Sequence, residues 1–96
     1  MFQAQAFRPL AAFSEDVAVA AGASTATVNE APLGVFVARV VAVGGSVRVA
    51  VGIAPATATS TRLIDGVPEY FLVTPGDRIS LYGTEAASVN VSYMTR

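Results

Sequence analysis

The 96-residue chain has no cysteine, no histidine and no lysine. Without cysteine there are no disulfides, no thiolate chemistry and no Cys-based metal sites, and nothing in the sequence fixes the redox compartment. Lacking histidine as well, one chain cannot assemble the usual zinc, haem or iron–sulfur ligand sets, so no cofactor is expected. A serine nucleophile would have neither a histidine nor a lysine as its base, which argues against hydrolase chemistry and against an enzyme altogether. The glycine patterns that cradle phosphates, G-x-x-x-x-G-K-[ST] and G-x-G-x-x-G, do not occur. Charged residues make up only 14% and the formal net charge is −1. The six basic residues are scattered, so the clustered positive field of a nucleic-acid binder is missing. Arg39 and Arg48 interrupt the most apolar region, and no run approaches the roughly 20 residues of a membrane span. The N-terminal M-F-Q-A-Q-A-F-R-P-L lacks a basic region followed by an apolar stretch, and is expected to belong to the mature protein.

What remains is 53% hydrophobic but only 8% aromatic, with Val and Ala supplying most of the apolar content. That mixture suits a thin, β-branched core better than a bulky cofactor pocket. The length suffices for one domain, residues 1–96, with a core that needs no covalent staples. All six basic residues are arginines: Arg8, Arg39, Arg48, Arg62, Arg78 and Arg96. Guanidiniums pair carboxylates bidentately and are enriched in interfaces, whereas lysine is the usual residue that blunts an open strand edge. The lysine-free composition is equally what a GC-rich coding bias favouring Arg, Ala, Val and Gly produces.

Read along the chain, residues 1–13 form an extended arm or a first edge strand, with Pro9 breaking any helix. Val17 and Val19 alternate with Ala18 and Ala20, and Gly22 turns the chain into Ser24 to Val28 as a hairpin. Val35 to Val43 is the longest apolar run and predicts a strand buried on both faces. Gly44-Gly45 reads as a two-residue hairpin turn into Val47 to Ile53, where Val47, Val49 and Val51 face the core and Arg48, Ala50 and Gly52 face away. Pro55 makes Ala54 to Thr61 a loop or short edge strand. Turns at Asp65-Gly66, at Pro75-Gly76 and across Gly83 to Ala87 separate strands at Glu69 to Val73, Arg78 to Tyr82 and Val89 to Tyr93. These signals predict an all-β single domain of about eight short strands, a β-sandwich or partly open barrel.

Chemistry-bearing residues are sparse. Glu15, Asp16, Glu30, Asp65, Glu69, Asp77 and Glu85 are read mostly as turn and solvation residues, and the spacing of Asp65, Glu69 and Asp77 matches no calcium loop. Tyr70, Phe71, Tyr82 and Tyr93 offer either an aromatic platform for sugars or, more simply, a core Phe71 with tyrosines at its margins and hydroxyls toward water. The Asn90-Val91-Ser92 triplet falls within a strand and is not read as a glycosylation site.

The succession V-R-V-A-V-G-I-A-P-A-T-A-T, R-L-I-D-G-V-P-E-Y-F-L-V-T-P-G-D-R-I-S-L-Y-G and S-V-N-V-S-Y, across residues 35–93, resembles small structural proteins of tailed bacteriophages, in particular the capsid decoration (cement) proteins. The resemblance implies a β-sandwich or jelly-roll of about eight short antiparallel strands and a non-enzymatic virion protein on the outer capsid surface. Its partner would be the major capsid protein, where it would reinforce contacts between capsomers, with a homo-oligomer, a trimer by preference, as its working form. Related β modules in tails, baseplates and head–tail connectors, and a carbohydrate-binding β-sandwich, are the alternatives. Expected interface residues are Phe2, Phe7, Arg8 and Phe13 from the N-terminal segment and Arg48 and Arg62 from the strands.

Overall fold

The computed structural model describes residues 8–27 and 29–95, with only the backbone described for residues 8–13 and 95. Among the described residues there are eight strands: β1 (Arg8–Val19), β2 (Ser24–Ala26), β3 (Val37–Val43), β4 (Val47–Gly52), β5 (Thr61–Leu63), β6 (Glu69–Leu72), β7 (Arg78–Gly83) and β8 (Ala87–Thr95). They form two four-stranded sheets in the orders β1-β8-β3-β6 and β2-β7-β4-β5, called here sheets A and B, and every strand pair is antiparallel. This is a β-sandwich with jelly-roll strand order. The radius of gyration of 12.4 Å agrees with the roughly 12.5 Å of a compact chain of this length.

Only β4 and β5 are both consecutive in the chain and paired. Every other link crosses from one sheet to the other, which corrects two expected hairpins. β1 and β2 do not pair; the chain leaves sheet A after Val19 and enters sheet B at Ser24. Nor do β3 and β4 pair across Gly44-Gly45. Each carries an apolar face, and a short link between them lets those faces meet across the core. The link is pinned in that position: the Gly44 N–H donates to Asp65 Oδ1 at 3.1 Å, and Gly45 lies directly against the Glu85 side chain.

Strand periodicity puts Val17 and Val19, Ala38, Val40 and Ala42, and Val89, Val91 and Tyr93 on the inner side of sheet A. Val47 and Val49, Leu63, Ile79 and Leu81 meet them from sheet B. The core is thin and β-branched, as the composition predicts. Each fully buried valine contributes about 1.5–3 kcal/mol by transfer from water, so the fold rests on many modest terms. β4 has the predicted alternation over its first four residues, with Val47 and Val49 inward and Arg48 and Ala50 outward, but Val51, expected in the core, is 36% exposed. β3 departs from expectation: its inner residues are fully buried, but on its outer side Arg39 and Val41 are half-buried and Val43 is exposed.

β1 supplies the outer edge of sheet A from Arg8 onward, so residues 8–13 of the expected arm belong to a strand, while residues 1–7 lie outside the described residues. Its pairing with β8 shifts between Pro9, opposite Met94, and Ser14, opposite Ser92. Four residues of β1 therefore face one of β8, and a proline is tolerated there because an edge strand need not donate from every N–H.

Candidate interaction surfaces

The carboxylates are largely occupied with their own chain. Asp77 Oδ2 accepts from the Thr74 N–H at 2.8 Å and from its hydroxyl at 3.1 Å, closing the turn at Pro75-Gly76. Asp65 holds Gly44 as described. Asp16 Oδ1 accepts from Asn90 Nδ2 at 2.9 Å, and Asn90 continues to Ser14 and Ser92, a polar ladder on the outer side of sheet A. Glu15 Oε1 accepts from the Asn29 backbone and side-chain nitrogens at 3.1 and 3.3 Å. Glu30 pairs with Arg78 at 3.5 Å on the surface. Glu15, Asp16 and Glu69 lie within strands, so fewer acids occupy turns than the sequence suggests. Among the described residues no cluster of acids is arranged to hold a metal, and no cavity is enclosed.

The four aromatic residues considered as a platform are dispersed. Tyr70 lies in the outward row Ser14–Ser92–Arg39–Tyr70 of sheet A, and Tyr82 in the outward row Ser24–Tyr82–Arg48–Arg62 of sheet B, on opposite sides of the molecule. Phe71 is partly buried against the core. Tyr93, expected at the margin with its hydroxyl in water, is instead 2% exposed. It escapes the desolvation penalty of a buried hydroxyl by donating to the Asn29 carbonyl at 3.0 Å. Burial raises its pKa above the ordinary value of 10.0, with the Thr27 hydroxyl acting in the opposite direction.

Thr27, which sequence reasoning did not single out, organises this region. It is 1% exposed. Its hydroxyl donates to the Asn29 carbonyl at 3.0 Å and accepts from the Ile79 N–H at 3.2 Å. Its own N–H donates to the Ile79 carbonyl at 2.9 Å, and its carbonyl accepts from Arg78 Nη1 at 2.8 Å. The hydroxyl stands in for the carbonyl that Arg78 has taken, so the pairing of β2 with β7 continues one residue beyond Ala26. The only sequence cue is the short Thr-x-Asn spacing, a type that favours local side-chain to backbone bonds.

Of the expected interface residues, Phe2 and Phe7 lie outside the described residues, and Arg8 and Phe13 are in β1 with undescribed side chains. Arg48 and Arg62 are brought together as direct cross-strand partners of β4 and β5. Arg48 Nη1 donates to the Ser60 carbonyl at 3.2 Å and Arg62 Nη2 to Ser46 Oγ at 3.4 Å. Beside them, the loop after β4 folds over sheet B, where the Ala56 N–H donates to Ser80 Oγ at 2.8 Å. Arg48 was legible as an outward residue from the period-two pattern; its proximity to Arg62 depends on the β4–β5 register.

A second surface lies at the end of the sandwich where β3 begins and β4 and β6 finish. The chain brings four exposed large apolar residues to this end, Leu33 at 88%, Phe36 at 54%, Ile53 at 97% and Leu72 at 83%, while Val43, Ile64 and Val67 are exposed elsewhere. The Arg78–Glu30 pair is at the same end, since Arg78 is the β7 partner of Gly52. Gly52, at φ 119°, ends β4 in a conformation that turns Ile53 away from the sheet. Comparison of the chain with protein-family models, with curated proteins and with solved structures returned no match.

Proposed function

We propose that the protein is a non-enzymatic virion component, a capsid decoration protein that docks on the outer shell of a tailed-phage head and reinforces contacts between capsomers. The observation that carries this reading is the exposure of Leu33, Phe36, Ile53 and Leu72 at one end of the jelly roll. Single apolar residues are ordinary on a protein surface; side chains as bulky and as exposed as these four are suited to being covered by a partner. The reading also agrees with carboxylates spent on turns and ladders, where none is placed as half of an acid–base pair. A homo-oligomer, a trimer by preference, follows from the same reasoning, since closed symmetry covers sheet edges that lysine does not protect here.

Quantitative mass spectrometry of purified virions that contain this chain tests the proposal through its copy number relative to the major capsid protein. A ratio near parity is expected. A count matching a single ring would move the protein to the tail or connector, and absence from the virion would refute a virion role.

A further inference from the structure

The geometry points to the Arg48–Arg62 row of sheet B as a docking strip for carboxylates, occupied by an extended acidic segment of the partner protein. This deepens the docking role proposed above by naming the chemistry of the partner, and it takes the partner's identity from that reading.

Like charges placed directly opposite on neighbouring strands repel, and antiparallel partners have Cα atoms only about 4.5–5.5 Å apart. β4 and β5 nonetheless bring Arg48 and Arg62 into register as direct partners on the outward side of sheet B. Among the described residues neither guanidinium forms an ion pair, in contrast to Arg78, which pairs with Glu30. Each makes one hydrogen bond to a neutral oxygen, the Ser60 carbonyl for Arg48 and Ser46 Oγ for Arg62. A guanidinium has five N–H donors, so most of the donors in this pair are left for an incoming group. Carboxylates match that fork bidentately and would remove the repulsion between the two cations.

The neighbours define the rest of the strip. Tyr82 is the β7 partner of Arg48, and Ser24 is the β2 partner of Tyr82, so the row runs from two cations through an aromatic ring to a hydroxyl. The loop carrying Ala56 closes one flank by its bond to Ser80. Alternate residues on one side of an extended strand are about 6.5–7 Å apart, a spacing that two long arginine side chains from adjacent strands can serve together. The matching partner is an extended segment with Asp or Glu at alternate positions. Two cations on a chain of net charge −1 do not make the continuous positive field that a nucleic-acid backbone needs.

The test is an NMR titration of the isotope-labelled full chain with an acetylated, amidated Glu-Thr-Glu-Thr-Glu peptide, with Gln-Thr-Gln-Thr-Gln as control. Saturable shifts confined to β4, β5 and Tyr82, weakened by raising salt, are expected for the acidic peptide alone. Arg62→Gln should weaken binding about two- to fivefold, the range of one exposed ion pair, and Arg48→Gln with Arg62→Gln should abolish it. Arg62→Gln sacrifices only a 3.4 Å bond to Ser46, so this variant remains informative if the double variant misfolds. Absent or dispersed shifts, equal binding of the glutamine peptide, or unchanged binding by the double variant each overturns the inference, as does stronger competition by a single-stranded oligonucleotide than by the peptide. Copy number in virions separates the two readings. A folded double variant retained at wild-type copy number overturns the carboxylate strip and leaves the decoration role intact. Peptide binding by a chain absent from virions does the reverse.

Discussion

Replacing Thr27 by valine keeps its shape and removes one oxygen, and the structure specifies what that oxygen does. The Thr27 and Tyr93 hydroxyls each have one proton, and both are directed at the Asn29 carbonyl at 3.0 Å. The two hydroxyl oxygens approach to 3.5 Å, a longer and weaker contact than either bond to the carbonyl. Tyr93→Phe removes one of two donors to Asn29 and leaves the carbonyl satisfied by Thr27, so its cost is that of one net hydrogen bond, about 0.5–1.5 kcal/mol. Thr27→Val also leaves Asn29 with one donor, but it orphans the Ile79 N–H. Successive residues of an antiparallel strand direct their backbone groups to alternate sides, so the Ile79 N–H points at β2 and has no alternative on β4. Ile79 is fully buried, which excludes water as a substitute. An orphaned buried donor costs about 1–3 kcal/mol in addition to the lost bond. Thr27→Val should therefore be the more damaging change, although it preserves volume, and for a domain of this size each kcal/mol lowers the midpoint by about 4–8 °C. Urea and thermal unfolding of both variants measure the difference. A Thr27→Val protein as stable as the parent, or less affected than Tyr93→Phe, would show that the hydroxyl does not close the β2–β7 pairing.

Two further outcomes follow from single positions. Because burial raises the Tyr93 pKa in the folded state, its protonated form stabilises the fold fully below the unfolded value of about 10, and that contribution is lost as pH rises through the folded value. Stability measured across pH 9–12 should fall more steeply for the parent than for Tyr93→Phe, and parallel curves would refute the assignment. A Cβ on Gly83 would meet Val19 Cγ1 at 2.7 Å and the carbonyl oxygens of Ala20 and Glu85 at 2.8 and 2.9 Å, whereas one on Gly45 would chiefly meet the flexible Glu85 side chain, at 2.6 Å. Gly83→Ala should cost at least the roughly 1–3 kcal/mol of overpacking, and Glu85→Ala should relieve Gly45→Ala but not Gly83→Ala in urea unfolding of the single and double variants.

The alternation along β4 and β8 was legible because it is local: Val47 and Val49, or Val89, Val91 and Tyr93, lie two residues apart and share a side whatever the strands pair with. Strand pairing is a property of distant segments. Gly44-Gly45 has the composition of a hairpin turn, yet β3 pairs with β6 and β8 while β4 pairs with β5 and β7. What decides this is the demand of both valine-rich faces for burial, together with the contacts of Asp65 and Glu85 on the link, residues about 20 and 40 positions further along the chain. For the same reason the Arg48–Arg62 juxtaposition and the role of Thr27 do not follow from local pattern. Each depends on a register between segments whose order in the sheets had first to be known.

The apolar end illustrates the limit most directly. Leu63 and Leu72 are the same residue type in successive edge strands of the two sheets, and one is fully buried while the other is 83% exposed. Period two groups Tyr70 with Leu72 and Phe71 with Val73 without choosing between the pairs; the simpler reading of the aromatics, a core Phe71, picks the pair that does turn inward. The choice follows from the row Tyr93–Ala38–Phe71 across sheet A, in which the small Ala38 leaves room for a ring on either side. Reversing β6 would place Tyr70 and Leu72 inside and lose the packing of Phe71 and Val73 against the core. With Phe71 and Val73 committed inward, Leu72 must face out, where it joins Leu33, Phe36 and Ile53. Water contact is thus a by-product of core packing at Leu72 and of strand termination at Gly52 for Ile53, and covering these side chains at an interface would recover stabilisation that folding alone leaves unused.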